Sequence, residues 1–258
     1  MSLDHIVINT LRNMDDAAAI FEDLGFCLTP RGHHSLGSIN HLMLEPSAYL
    51  ELVGVPQSGR QRQEVLDSPP GLNGLVFRSD DAPATHARLI AAGFDPQEPI
   101  ILERPVEIEG ETRQARFHNV RMRMEEFPAG RVYFCQHLTP DLVWRVEWLT
   151  HPNGFAGLAE IAIHSLDPER EARTYAMLAE SAAEPSGNDW LIRDGGFTIR
   201  LSQHETPGFA SATLLFDDLS DISRRASSTN GVEWQEGRTG KGAILVPSLD
   251  LRLQCRTA

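Results

Sequence analysis

Two side chains in this sequence stand where an ordinary strand would not keep them. In LDHIVINT (3–10), a period of two puts Asp4, Ile6 and Ile8 on one face and His5, Val7 and Asn9 on the other. Ile6 and Ile8 are the core face, so the imidazole of His5 points at something else. In YLELVG (49–54), Tyr49, Glu51 and Val53 share a face while Leu50 and Leu52 pack inward. A carboxylate on a half-buried strand is costly unless it is paired or liganded. His5 is therefore either a core histidine bonded to a carbonyl or a ligand. Glu51 is either the partner of an Arg or of His5 itself, or a ligand. Asn40 either lines a pocket or caps a bulge, and His33-His34 lie in a Gly-flanked loop that is either solvated or covers a cavity. The chain has no Gly-rich phosphate loop, no GxSxG elbow and no HExxH.

The elements that must position these groups belong to a soluble globular protein. The chain has 258 residues, 41% hydrophobic and 23% charged, enough for one large domain or two ordinary ones. A net charge of −13 argues against nucleic acid or an anionic membrane as partner, because both need clustered Lys and Arg. No stretch approaches the roughly 20 apolar residues of a membrane span, and no signal-peptide pattern precedes the first strand. Cys27, Cys135 and Cys255 are far apart and odd in number, which fits reduced thiols in a cytoplasmic protein.

One unit recurs along the chain. A strand at 3–10 leads into a helix over 13–24, stopped by Gly25, and then into the strand-like pieces CLTP, SINHLMLEP and AYLELVGV. A second unit has GLNGLVFRSD, a helix over 82–94, and the extended segments RQARFHNVRM and RVYFCQHL. A third runs through GLAEIAIHS, a helix over 169–183, WLIRDG and GFTIRLSQ. A fourth runs through SATLLFDDL, a helix over 222–228, GAILVPS and LDLRLQC. Leu24-Gly25-Phe26, Ala92-Gly93-Phe94 and Asn230-Gly231-Val232 punctuate helix ends alike, as left-handed C-caps do, and the third unit lacks the glycine. A lone βαβββ unit leaves a sheet edge and a sheet face uncovered, whereas two side by side close a curved sheet around a cavity. The reading is thus an α+β fold of four βαβββ modules, paired into two curved mixed sheets with helices outside. The first pair covers 1–150 and a shorter second pair 151–258, with HPNG at the boundary, where His151 is read as fixing a turn.

LDHIVI with His5, GSIN ending at Asn40, AYLEL with Glu51, and FCQHLTPDLVW followed by HPNG resemble the vicinal oxygen chelate superfamily, the glyoxalase/bleomycin resistance/extradiol dioxygenase group. More narrowly, the chain resembles its glyoxalase-like members. The resemblance implies metal ligands on the first and last strands of each module in a pair. Carried over residue by residue, it gives His5 and Glu51 from module one. Aligning Phe134-Cys135-Gln136 with Tyr49-Leu50-Glu51 adds Gln136 as a third ligand and, with Glu51, a catalytic group. Gly74 falls where a second His would stand. His41 and His137 are further candidates, and Asn40, His41, Tyr49 and His137 are expected to touch substrate. Imidazole and carboxylate suit a divalent Zn, Fe, Mn or Ni. In the second pair Glu160 stands at the His5 position, with Arg200 and Arg252 on the later strands, which reads either as a structural ion-pair cluster or as an anion pocket.

What the resemblance implies about activity is a small-molecule cup in the first pair, with a metal-assisted lyase or isomerase acting through an enolate-type intermediate. The alternatives are a metal-free sequestering protein of the drug-resistance type and an extradiol dioxygenase, which wants two His where one is convincing. Four modules in one chain permit a monomer, and a homodimer stays open.

Overall fold

The computed structural model describes residues 2–108 and 110–258. Its first half opens with β1 (Leu3–Leu11), whose Ile6 and Ile8 lie in the main core. Helix α1 (Met14–Asp23) follows and buries Met14, Ala17 and Phe21; Gly25, at φ 82°, turns the chain back behind it. Three strands complete the module: β2 (Gly32–His33), β3 (Ile39–Leu44) and β4 (Tyr49–Gly54). CLTP is not a strand, and the two-residue β2 takes its place.

After a short turn of helix, α2 (Gln63–Leu66), the second module has β5 (Gly71–Arg78), α3 (Ala82–Ala91), β6 (Ile100–Ile108), β7 (Glu111–Arg121) and β8 (Arg131–His137). Strand β6 was not legible as a strand, because Pro105 within ILERPVEI argues against one. It occupies a sheet edge, where a missing N–H is tolerated. The eight strands are ordered β2-β3-β4-β1-β5-β8-β7-β6. The sheet curls until its two edges approach, with Ser35 N donating to Glu103 O at 3.2 Å. It is nearly a barrel.

The second half repeats the plan: β9 (Phe155–Ser165), α4 (Pro168–Ala179), β10 (Ala183–Ser186), β11 (Asp189–Asp194) and β12 (Phe197–Gln203), then β13 (Gly208–Phe216), α5 (Ser220–Ser228), β14 (Glu233–Glu236), β15 (Lys241–Val246) and β16 (Leu251–Thr257). Its order, β10-β11-β12-β9-β13-β16-β15-β14, is the first order shifted by one half. Where the third module lacks a glycine, Glu180 takes the left-handed cap itself at φ 51°. One core, containing Ile8, Leu50 and Phe134 as well as Phe155, Ile161 and Phe216, runs between the two sheets. The four-module α+β architecture is the one the sequence pattern predicts. No helix among the described residues is long and apolar enough to cross a membrane.

A second apolar cluster, including Val7, Leu42, Val76, Leu102 and Phe117, lines the inside of the first sheet. The cup therefore has an apolar wall before any polar group is placed in it.

Candidate metal and substrate site in the first cup

His5 and Glu51 reach the cup from the first and last strands of module one, β1 and β4, which run parallel with His5 opposite Tyr49 and Val7 opposite Glu51. His5 Nε2 lies 3.4 Å from Glu51 Oε2, with both residues more than nine-tenths buried. The His5 ring stacks on Tyr49 at 4.4 Å between centroids. Asn40, from β3, donates to Glu51 Oε1 at 2.6 Å. That approach needs Gly32, since a Cβ there would meet Asn40 Oδ1 at 2.2 Å.

Asp4 corrects the period-two reading. Between Leu3 and His5 the register of β1 against β5 shifts, and the extra residue is Asp4. A bulge of this kind re-aims a side chain. Asp4 accordingly joins His5 instead of the Ile6 face, and His5 Nδ1 meets its Oδ1 at 2.6 Å. His137 Nε2 lies 3.1 Å and Arg78 Nε 3.4 Å from the same carboxylate. Burial opposes the charge on Asp4. The facing His137 and His5, through charge and hydrogen bonds, outweigh it and hold the carboxyl well below the usual carboxylate range. An ionised Asp4 accepts from His5 Nδ1, and where the ring is neutral Nε2 then turns a lone pair toward the cup.

Gln136 does not join this group. Its Oε1 accepts from Ala82 N at 3.0 Å and its Nε2 donates to Asp80 O at 2.8 Å, at the start of α3. The cup-facing residues of β8 include Arg131, Tyr133 and Cys135, and Gly74 pairs with Arg131 as His5 pairs with Tyr49, so aligning Phe134 with Tyr49 is off by three residues. A slip by an odd number of residues carries every side chain of a strand to the other face. Tyr133 stands in the cup instead, its hydroxyl 3.0 Å from His5 Nε2. Burial, with Glu51 nearby, pushes its phenol well above the usual range, so it remains a donor. Gly74 does face the cup, and a Cβ there would come within 2.9 Å of Val7 Cγ2. No second imidazole fits beside an unmoved Val7.

The remaining candidates divide. Tyr49 and Asn40 line the cavity. His41 does not: it accepts from Arg31 Nε at 3.1 Å and pairs through Nδ1 with Thr29 O at 2.8 Å. His137 sits behind His5, on Asp4 and edge-on to Trp144 at 4.6 Å. His34 covers the cavity with its loop, the other member of the HisHis pair being exposed. Burial first, then Arg104 and Arg62, push His34 down to about 4 against the pull of Glu51. In the second half, Arg200 grips Glu160 at 3.0 Å and Asp189 at 3.0 Å. That is an ion-pair cluster, and Arg252 pairs elsewhere, with Gln235 at 3.0 Å.

The donor set fits a divalent metal in part. Two ligands bonded at about 2.1 Å with a tetrahedral angle lie about 3.4 Å apart, which is the separation of His5 Nε2 and Glu51 Oε2. The buried Oδ1 atoms of Asn40 and Asn119, both on cavity-lining residues, have no hydrogen-bond donor. The third strong ligand of a two-His-one-carboxylate site does not face this point. Among the described residues, the trio of His, Cys and acidic side chains with ligand atoms mutually within 4.8 Å is Asp4, Cys135 and His137, of which Asp4 bonds the Nδ1 side of the His5 ring, away from Glu51. Asp4 there also meets His5 and Arg78, and burial raises the Cys135 thiol well above its usual range, so that a bound cation would have to displace its proton.

The cup, its open mouth included, holds about 1020 Å³ of empty space. A model of the glyoxalase-like domain matches residues 3–179. Comparison with curated protein sequences returns no match. Among solved structures, a hypothetical protein from Staphylococcus aureus superposes with a TM-score of 0.71 at 11% identity, over 99% of this chain and 98% of that one. A Mn(II)-bound glyoxalase from Novosphingobium aromaticivorans gives 0.63 at 9% identity, over 99% and 81%. A mutant 4-hydroxymandelate synthase from Streptomyces coelicolor gives 0.60 at 14%, over 99% and 92%.

Proposed function

The chain belongs to the glyoxalase-like domain family, and from that premise we propose that its first cup is a metal-assisted lyase or isomerase site for a small polar molecule. The observation that carries the reading is the facing pair His5 Nε2 and Glu51 Oε2 at 3.4 Å. With the His5 proton on the Asp4 side, two lone pairs meet at one point, and such a point accepts a proton or a cation. His5 and Glu51 would hold the metal, with Tyr133 and Asn40 as weaker oxygen donors. A divalent Zn, Fe, Mn or Ni bound there supplies Lewis-acid polarisation of adjacent substrate oxygens.

The chain's own residues do the rest. Asn40 fixes Glu51 through Oε1, and Oε2, which would otherwise help to hold the metal, takes a proton from the substrate carbon beside a carbonyl when it is displaced, and returns it. The electron pair left by that proton moves to the carbonyl oxygen, and the Tyr133 phenol donates to the enolate so formed. Asp4 keeps the His5 ring in one orientation. The apolar wall of Leu102 and Phe117 excludes water from the intermediate. Three free cysteines go with a cytoplasmic setting.

A second reading, metal-free sequestration, is favoured by module two, which presents Gly74 and Tyr133 where further ligands would stand. Metal analysis of untagged protein purified without chelators separates the two. Near-stoichiometric metal, lost in both His5→Ala and Glu51→Ala, is the result expected. Protein that takes up no metal even when it is supplied would sink the enzyme reading.

A further inference from the structure

The strongest unexplained charge in the molecule lies inside this cup. Arg104, on β6, is only 2% exposed, and its Nε and Nη2 have no hydrogen-bond partner among the described residues. Those two atoms form one edge of the guanidinium, the edge whose parallel N–H bonds take a carboxylate in a fork. The ring of Phe117 lies 6.0 Å from its Cζ, so no acidic group covers that face. A second guanidinium, Arg131, uses Nε on Asn73 Oδ1 at 2.7 Å and leaves a buried Nη2 unpartnered.

The surroundings make the charge a selector. The cavity is lined by four arginines, Arg62, Arg104, Arg121 and Arg131, and by two carboxylates, Glu51 and Glu64. Arg62 and Arg121 both bind Glu64, at 2.5 and 3.0 Å. Glu51, already bonded to Asn40, forms no ion pair with either remaining arginine. A cationic interior in a chain of net charge −13 attracts an anion that the rest of the surface repels. Leaving a buried guanidinium unpaired is destabilising, and proteins keep such groups where a ligand completes them.

We infer that the substrate of the first cup is a small carboxylic acid with an apolar body. Its carboxylate is received by the Nε–Nη2 edge of Arg104 with Arg131 beside it, and its apolar part lies along Leu102, Phe117 and Met122. This inference rests on the reading of the cup as a small-molecule site, and it names the class of molecule. It does not depend on whether metal is held.

The test uses full-length, chelator-treated protein and isothermal titration with phenylacetate, its neutral isostere phenylacetamide, and phenyl phosphate. The acid is expected to bind about 30-fold more tightly than the amide, and Arg104→Met, folded by circular dichroism, to lose that preference. Arg104→Lys keeps a point charge without the fork and should bind phenylacetate more weakly than wild type. Should Arg104→Met not fold, that comparison decides alone, and equal affinity overturns the inference. It is overturned as well by no binding of phenylacetate, by equal binding of acid and amide, or by preference for phenyl phosphate. Metal uptake by the wild-type protein is scored separately. A metal-free cup that still selects the acid therefore removes the enzyme reading and leaves this one standing.

Discussion

Asp4 governs the site although it never faces the cavity, because its carboxylate decides which nitrogen of His5 carries the proton. Asp4→Asn keeps the shape and removes the charge. Metal affinity is expected to fall by about 10- to 100-fold, with the fold retained, as for other residues that orient a metal-bound imidazole. Competition against a fluorescent chelator measures it, and unchanged affinity would show that the His5 tautomer is set elsewhere. At this scale the sequence was partly legible. The convergence of His5 and Glu51 follows from strand parity in LDHIVI and YLEL. Asp4 was misplaced because a bulge breaks that parity, and nothing in the local residues announces the bulge. Arg104 was missed for a different reason: its strand was hidden by Pro105, and an arginine without a placed strand has no face.

At the scale of elements, Gln136 holds α3 to β8. Its side-chain oxygen accepts one of the orphan N–H groups of the helix start, and its amide donates back to Asp80 O. Gln136→Leu is expected to cost about 1–2 kcal/mol in urea unfolding while leaving metal uptake unchanged. Loss of metal in that variant would contradict the position of Gln136 on the helix side of β8. The repeated order of elements was readable because each module carries its own strand–helix start and most carry a glycine stop. The edge strands β6, β10 and β14 were not, since they are short, polar or interrupted and gain their place only by pairing with a neighbour.

For the molecule as a whole, the connection between the halves is pinned by a neutral histidine. His151 accepts from Cys27 N at 2.9 Å and donates to Leu44 O at 2.7 Å, so one nitrogen must be bare. Burial lowers its pKa below the ordinary 6.5. The unfolded chain therefore takes up this proton first as pH falls. The stabilisation is complete above 6.5 and is lost progressively below it, as for His34, whose pKa is about 4. Unfolding midpoints in urea should decline from pH 7.5 to pH 5, and less so in His151→Ala, which starts about 1–3 kcal/mol lower at pH 7.5 through the unpaired Cys27 N. An equal decline in both proteins would place the proton linkage elsewhere. Because both modules of the first cup come from one chain, sedimentation is expected to find metal uptake in a monomer.

The missing side chain at Gly74 sets the order in which this site can change its chemistry. A histidine there would bring its Cβ within 2.9 Å of Val7 Cγ2, so the Val7 side chain must give way before a new ligand can be seated. Trimming Val7 first opens the way. A cup with an oxygen-activating triad thus calls for two coupled changes, a ligand at position 74 and a smaller side chain at position 7.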